Sequence, residues 1–402
     1  MKILALGAGG MGEAAAVTAA SFDEIQELIV ADLNLENAQR VASRCGGKAT
    51  AARIDVTRQD DLVALMQQAD AVMNCVGPFF RFGVPILEAA IAARRHYFDI
   101  CDDPEPTLKM LELGDKAREA GITAVIAGGA SPGTTNLLAR LAYESLDTVD
   151  ELITAWNIES SDDSPEDPLT FSMAIVHWMQ QISGTILEWQ EQRLQDVRPL
   201  REELIDYPGR GQRMVWTVGH PEPITLARTY PGLKNSYCAM VMTSLNARVF
   251  HQLQAAIDRG DQTLEEAARE LVEVSQESSW LTRMVATVSR WLDGPALPQF
   301  FALARGTQDG VPATTAASIR AYPEEMANAT GIPLALTARL FAQGKITAHG
   351  VHAPERVINP REFFDLLHPY CCTPQPVARE DLVELVTKRC TPYVTVEPYM
   401  TI

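Results

Sequence analysis

The feature that most constrains this chain is its opening turn, Gly7-Ala-Gly9-Gly10-Met11-Gly12, set between the apolar run Met1–Leu6 and an Ala-rich helical stretch. Twenty residues after Gly12, a second apolar run, Leu28–Ala31, ends in Asp32. Three glycines at this spacing recur by chance, but the ordered series of strand, glycines, helix, strand and carboxylate is a much narrower pattern. Gly7 permits the tight turn, Gly9 lets the backbone approach a pyrophosphate, and Gly12 lets the helix pack against the strand. Free N–H groups at the helix start, residues 10–13, including Gly10 and Met11, would hold the phosphates. The competing reading is a plain strand-to-helix turn with a solvated Asp.

Asp32 bears on which dinucleotide the turn would take. A carboxylate suits the free 2′-OH of NAD and repels a 2′-phosphate, for which an Arg or Lys is the usual partner. Leu33, Asn34, Leu35 and Glu36 follow, with no basic group before Arg40. The expectation is NAD, with NADP left open because a distant loop could supply an Arg. Asp55 and Val56 are expected beside the adenine. Cys75, Gly77 and Pro78, at the end of a fourth strand, are expected against the nicotinamide ribose, unless that turn merely reverses the chain.

At 402 residues the chain exceeds one ordinary core, so two domains are expected. The net charge of −18 excludes nucleic acid and anionic membranes as natural partners, while leaving room for a locally basic pocket. Seven cysteines without C-x-x-C spacing point to reduced thiols rather than disulfides or a zinc site, and no metal is expected. No apolar run reaches the length of a membrane span. With the first strand starting at Lys2, no signal peptide is expected and the location is read as cytoplasmic.

Residues 1–130 alternate strand-like runs (Lys2–Leu6, Leu28–Ala31, Ala51–Asp55, Ala71–Val76, Tyr97–Ile100, Thr123–Ala127) with helical patterns such as Asp60–Gln68 and Pro85–Arg94. That is the signature of an α/β fold, a Rossmann-type doubly wound parallel sheet, whose ligands bind beyond the carboxyl ends of the strands. From Glu151 the texture changes: a strand Leu152–Ile158, an acidic loop Ser160–Pro168 and an apolar helix Met173–Ile182. Strand-like pieces then run to about Val249, helical stretches from His251 to Leu292, and strands over Phe300–Arg305 and Ala313–Ala321. Residues 131–332 thus read as an α+β substrate and dimerisation domain. A helix Pro333–Gln343 opens a segment, 333–402, expected to pack back on the first domain.

Several segments in order resemble the saccharopine dehydrogenase-like family, which includes lysine 6-dehydrogenase and carboxynorspermidine dehydrogenase. They are the Gly7–Gly12 turn, Asp70-Ala-Val-Met-Asn-Cys-Val-Gly77-Pro78-Phe79, His96-Tyr-Phe-Asp99-Ile-Cys-Asp102-Asp103 and Ala120-Gly-Ile-Thr. Gly129-Ala-Ser-Pro132-Gly133-Thr-Thr-Asn136-Leu-Leu, Gly219-His220-Pro-Glu222-Pro and Gly344-Lys-Ile-Thr-Ala-His-Gly350-Val351 continue the series. The resemblance implies a Rossmann domain, a mixed-sheet substrate domain and a C-terminal segment returning to the first. It also implies NAD(P)-dependent making or oxidising of a C–N bond in an amino acid or polyamine. By it, Gly7, Gly9, Gly12 and Asp32 bind the dinucleotide, Gly77–Pro78 face its nicotinamide end, and Gly129–Gly133 join the domains.

Such chemistry asks the protein to orient substrate and carry a proton near neutrality. Asp102 and Asp103 end a strand at the expected cleft. Adjacent carboxylates on an extended chain point opposite ways, so one of them is expected to meet the substrate, and a helix N-cap before Pro104 is the competing role. His220, with Glu222 nearby, suits acid–base work. Lys234 could be a base or a carboxylate anchor, and a solvated lysine is its plain alternative. Arg81 is the candidate carboxylate clamp, with Arg228 and Arg305 as second-domain alternatives. His177 reads as a core-edge histidine. The resulting expectation is a homodimeric amine oxidoreductase with an amino-acid-like substrate. The alternatives are a dehydrogenase of alcohols or hydroxy acids, or a non-catalytic dinucleotide sensor docking through Ser160–Pro168.

Overall fold

Short apolar runs separated by helices build a seven-stranded, wholly parallel sheet in the computed structural model of the chain. The structure describes residues 1–158, 173–276, 296–372 and 377–389. Strands β1 (Lys2–Leu6), β2 (Glu27–Asp32), β3 (Ala49–Arg53), β4 (Ala71–Asn74), β5 (His96–Asp99) and β6 (Thr123–Val125) lie in the order β3-β2-β1-β4-β5-β6. A late strand, Gly350–His352, adds beyond β6, its Val351 opposite Ala124. The order reverses direction between β1 and β4, the place where open parallel sheets take their ligands.

The second sheet is mixed. It comprises β7 (Thr148–Asn157), β8 (Ile186–Gln190), β9 (Arg193–Val197), β10 (Glu202–Tyr207), β11 (Gly211–Val218), β12 (Asn235–Val241), β13 (Phe300–Gln308) and β14 (Val311–Ile319). With Gly350–His352 counted as β15, the last strand, β16 (Val383–Arg389), closes the order β10-β11-β12-β7-β13-β14-β16. Only β12 and β7 pair parallel, and the β8–β9 hairpin hangs from β12 at Ser236. The sheet curls until Lys388 of β16 pairs with Asp206 of β10. Inside the curl, Ile153, Tyr207, Tyr237, Phe301 and Leu303 form a small core of their own. Its outer face carries the helices Thr134–Glu144, Met173–Gln181 and Glu222–Thr229, and their core is continuous with that of the parallel sheet.

The chain returns to the parallel sheet through the helix Met326–Ala342. Phe341 at its end lies against His96 and Phe98, with ring centroids 4.3 and 5.4 Å away. Its middle presses on the helix Gly10–Ala20, whose inward positions are Ala15, Ala16 and Ala19. Small residues there let backbones meet. A Cβ on Gly331 would collide with the Met11 carbonyl and lie 2.8 Å from the Ala14 Cβ.

Both sheets thus follow the sequence expectation in class. Boundaries differ for local reasons. The fourth helix begins at Phe79 rather than Pro85, because Pro78 supplies the N-cap position and Pro85 is accommodated inside the helix. Pro333 is likewise internal to Met326–Ala342. The strand-like pieces stop at Val241, and Val249 belongs to the helix Ser244–Arg259, capped by the Thr243 side chain. The Ser160–Pro168 loop and the end of the His251–Leu292 stretch lie outside the described residues. After β15 the chain crosses over once more, and β16 pairs with β14 of the curled sheet. Among the described residues no helix is long and apolar enough to cross a membrane.

Gly331→Ala tests the helix–helix contact. Overpacking at a backbone-to-backbone approach costs typically 1–3 kcal/mol, so its urea midpoint should fall below wild type with the slope unchanged. An unaltered midpoint would mean the two helices separate freely.

Candidate active site

The glycine turn has the geometry its residues ask for. Gly7 is at φ +89° and its N–H donates to Ala31 O at 2.9 Å, while a Cβ there would sit 3.0 Å from the Cys75 carbonyl. A Cβ on Gly12 would collide with the carbonyl of Gly7, so the helix can reach the strand only without one. Gly9, at the N-cap of the helix that Gly10, Met11 and Gly12 begin, has nothing within 4 Å of its Cβ position. That open space above a helix start, beside a tight glycine turn, fits a dinucleotide pyrophosphate.

Asp32 ends β2 beside this turn. Its Oδ2 accepts from Ala8 N at 2.7 Å and its Oδ1 from Asn34 N at 2.8 Å, so the carboxylate helps to shape the turn. The sequence reading found no basic group before Arg40 and left open an Arg from elsewhere, and the structure brings Arg40 and Arg53 to this turn, with Arg44 beside Arg40 on Glu13. Arg40 and Arg44 both pair with Glu13, Arg40 also reaches Ala8 O at 3.3 Å, and Arg53 donates from β3 to Leu33 O at 3.2 Å. Asp55 is half-buried, and its Oδ1 accepts from the amide and hydroxyl of Thr57, which lowers its pKa. Val56 is half-buried beside it. Cys75 follows β4, and burial pushes its thiol up to about 12, which leaves it un-ionised. Gly77 and Pro78 then lead into the helix Phe79–Ala93.

At the carboxyl ends of β4 and β5 the chain gathers titratable groups. Asp99 is fully buried and accepts from Ala127 N at 2.8 Å and Cys101 N at 3.0 Å, binding together the loops that follow β5 and β6. Burial raises its pKa to about 6. Asp103 occupies the N-cap position of the helix Pro104–Glu112 without capping it. Its Oδ2 accepts instead from Phe80 N at 2.9 Å, at the start of the neighbouring helix. Burial, with the adjacent Asp102 charge, raises its pKa to about 6.

His177 completes this corner. It comes from the helix Met173–Gln181, and its Nε2 lies 3.4 Å from Asp102 Oδ2 and 3.5 Å from Asp103 Oδ1. The sequence reading placed His177 at a core edge and sent the two carboxylates opposite ways. That reading is corrected here, because residues 101–103 are not in a strand and both side chains reach one imidazole. Asp102, half-exposed, is the one open to a ligand.

His220 sits beside this group, 97% buried. Its Nδ1 is 3.1 Å from Glu222 Oε2 and 3.5 Å from Ser131 Oγ. Glu222 is wholly buried, and its Oε1 accepts from Ser131 Oγ at 2.7 Å and Thr135 Oγ1 at 2.9 Å. Burial alone would favour a neutral imidazole, but Glu222, with help from Asp102 and Asp103, raises the pKa of His220. Burial likewise opposes the Glu222 charge, and His220 outweighs it and lowers that pKa. The result is a buried ion pair. Ser131, Thr135 and Glu222 were not singled out as a unit from sequence, although Glu222 two residues after His220 was visible.

The other candidates fall elsewhere. Lys234 is more than half exposed and pairs with Asp150 at 3.0 Å, at the start of β12 rather than at its site-facing middle, where Cys238 meets Glu222. The order of residues had offered no way to see that ion pair. Arg81 is exposed on the first turn after Pro78, its guanidinium 4.9 Å from the Phe82 ring centroid. Arg228 donates to Leu111 O at 3.5 Å and Arg305 pairs with Glu151 at 2.7 Å. Two trios, Asp102–Asp103–His177 and His220–Glu222–Cys238, have donor atoms within 4.8 Å of one another, close enough to share a cation or a proton.

Residues 3–125 match the family model described as the saccharopine dehydrogenase NADP-binding domain. This part of the chain is similar to the dinucleotide-binding domain of that family. Over 377 residues the chain is 21% identical to carboxyaminopropylagmatine dehydrogenase of Synechocystis, covering 89% of this chain and 92% of the relative. Over 259 residues it is 25% identical to carboxynorspermidine synthase of Vibrio cholerae, covering 58% and 60%. In fold it is similar to apo saccharopine dehydrogenase (L-Glu forming) of Saccharomyces cerevisiae, with a TM-score of 0.60, 16% identity and 97% and 100% of the two chains covered. The fold, a parallel sheet joined to a mixed sheet, is therefore shared with that protein.

Gly9→Val should leave folding intact, since its side chain enters open space, and should abolish NADH binding measured by protein-to-nicotinamide energy transfer. Wild-type affinity in the folded variant would place the dinucleotide somewhere else.

Proposed function

We propose that this chain is an NAD(P)-dependent oxidoreductase of a C–N bond in an amino-acid or polyamine-like substrate, with His220 as the proton carrier. The observation that carries the reading is the convergence of Asp102, Asp103, His177, His220 and Glu222 at the carboxyl edge of the dinucleotide sheet. Asp103 links this group to the turn after Gly77–Pro78, the nicotinamide end of a dinucleotide laid from Gly9. The bound dinucleotide supplies or takes the hydride at the substrate carbon.

The residues do the rest. Three carboxylates against two imidazoles leave the group negative even when both histidines are protonated, which draws an ammonium group to Asp102. His220, held by Glu222, gives a proton to the substrate nitrogen in the reductive direction and takes one in the oxidative direction. Its burial keeps bulk water from that exchange. Arg81, exposed on the turn after Pro78, is kept as the candidate clamp for a substrate carboxylate, on its chemistry alone. Asp103 supports Asp102 and His177 rather than meeting substrate. Lys234 has no part in this reading. We further read the enzyme as a homodimer of the cytoplasm, where its cysteines would stay reduced.

A panel of amines, and of amines paired with carbonyl compounds, followed by NAD(P)H absorbance, tests the reaction. Bound NADH with no turnover across the panel would favour the sensor alternative. His220→Gln should lower turnover roughly a hundredfold or more while NADH still binds. The pH profile carries a sign. Because Glu222 raises the pKa of His220, reductive turnover should hold below the ordinary histidine range and fall as pH rises through a value above about 6.5. The oxidative direction should show the opposite limb, and Glu222→Gln should move both midpoints down.

Coenzyme choice is a separate test. Asp32 would face a 2′-phosphate, so NADH is expected to bind more tightly than NADPH, and Asp32→Ala should narrow the gap. Tighter NADPH binding by wild type would assign the adenosine end to Arg40 and Arg53 instead.

A further inference from the structure

A second carboxylate is buried behind the first, outside the cleft. Glu355, on the short helix Pro354–Val357 just after β15, is 1% exposed. Its Oε2 accepts from Asn136 Nδ2 at 3.0 Å and its Oε1 from Thr229 Oγ1 at 3.2 Å. Arg140 donates through Nη1 to the main-chain oxygens of Glu355 and Ile358 at 3.1 and 3.0 Å and through Nε to Glu144 at 2.7 Å. Among the described residues no cationic side chain bonds the Glu355 carboxylate oxygens, and a buried carboxylate solvated by an amide and a hydroxyl is a costly way to fill space.

What it holds explains its presence. Asn136 donates a second hydrogen to Thr225 Oγ1 at 2.9 Å and accepts from Gly133 N at 2.8 Å, at the end of the turn that carries Ser131. The Thr225 hydroxyl donates to the Glu222 main-chain oxygen at 3.3 Å. Glu355 therefore grips the helix Glu222–Thr229 at its last turn directly and at its first turn through Asn136 and Thr225. It is attached to β15, an edge strand of the dinucleotide sheet. We propose that Glu355 is a positioning residue that fixes the His220–Glu222 pair relative to the bound dinucleotide through hydrogen bonds to Asn136 and Thr229. This rests on the reading of His220 as the proton carrier.

The test compares Glu355→Gln with Glu355→Ala in the full chain. Gln keeps the shape and an acceptor for Asn136, and its amide can donate to a threonine hydroxyl. Ala removes the acceptor of one Asn136 amide hydrogen and of the Thr229 hydroxyl. The readouts are turnover, substrate KM, NADH affinity and the imidazole titration of His220 by NMR, assigned from the signal lost in His220→Gln. For Glu355→Ala we expect turnover down about ten- to a hundredfold, the range a misplacement near 1 Å produces. NADH affinity and KM should stay within about twofold, and the His220 titration should move toward the ordinary histidine value. Glu355→Gln should restore all of these to near wild type.

An unchanged His220 titration in folded Glu355→Ala would overturn the proposal, as would a Gln variant as impaired as Ala. If Glu355→Ala does not fold, Thr229→Val removes one donor and should move the same titration by a smaller amount, and no movement there overturns the proposal equally. Absence of turnover in wild type would count against the proposed reaction alone, because the titration still decides whether Glu355 positions His220.

Discussion

The buried ion pair between His220 and Glu222 sets terms that much of the surrounding structure has to meet. Two opposite charges removed from water are tolerated only when the spare lone pairs and protons are also satisfied, and breaking such a pair by removing one partner costs about 3–5 kcal/mol. Glu222 has its second oxygen filled by Ser131 and Thr135. Those hydroxyls must then be delivered by the turn and helix start at 129–135, which in turn must lie against the helix Glu222–Thr229. The Ser131 turn follows β6 of the parallel sheet, and His220 follows β11 of the curled one. The ion pair therefore works as a joint between the two sheets, whatever chemistry it serves.

How much of this could be read from the order of residues depends on the range of the interaction. The Gly7–Gly12 turn was legible because its requirements are local: a positive φ at Gly7 and no Cβ at Gly12, both set by contacts within the first strand–helix unit or with the adjacent β4. The parallel sheet was legible for the same reason, since each strand–helix alternation carries its own period. His177 was not legible. Nothing on the helix Met173–Gln181 distinguishes it from a histidine at a core margin until Asp102 and Asp103 arrive from a segment more than seventy residues earlier. Lys234 failed in the opposite way. A lysine after Pro231-Gly232 looks available from sequence, and only the pairing of β12 with β7 reveals Asp150 beside it.

The return of the chain shows why boundaries were less legible than elements. Gly344–Val351 was visible as a segment, but its use as an edge strand needs β6 as a neighbour, and β6 lies over two hundred residues away. The helix before it is seated by Gly331, which the sequence reading left ahead of a helix start at Pro333, and a glycine inside a helix carries a local cost. Close approach of two backbones turns that local cost into a fit. The same logic places Glu355, which no periodicity would select.

The charge distribution finally separates the glycine turn from the far end of the same sheet edge. A chain of net charge −18 that binds a polyanionic dinucleotide has to supply its positive potential locally. At the glycine turn it does so with the helix start and with Arg40, Arg44 and Arg53, two of them already shared with Glu13. At the other end the potential reverses, since Asp102, Asp103 and Glu222 outnumber the imidazoles they face. An anionic ligand group is thus favoured at one end and a cationic one at the other. A substrate entering beside the nicotinamide with its ammonium leading would lower the local negative potential as it bound. Its arrival would also weaken the electrostatic hold on the His220 proton, because Asp102 and Asp103 contribute to that hold. On the proposed reading, binding of a cationic group at Asp102 and loss of the His220 proton would be coupled through the same carboxylates.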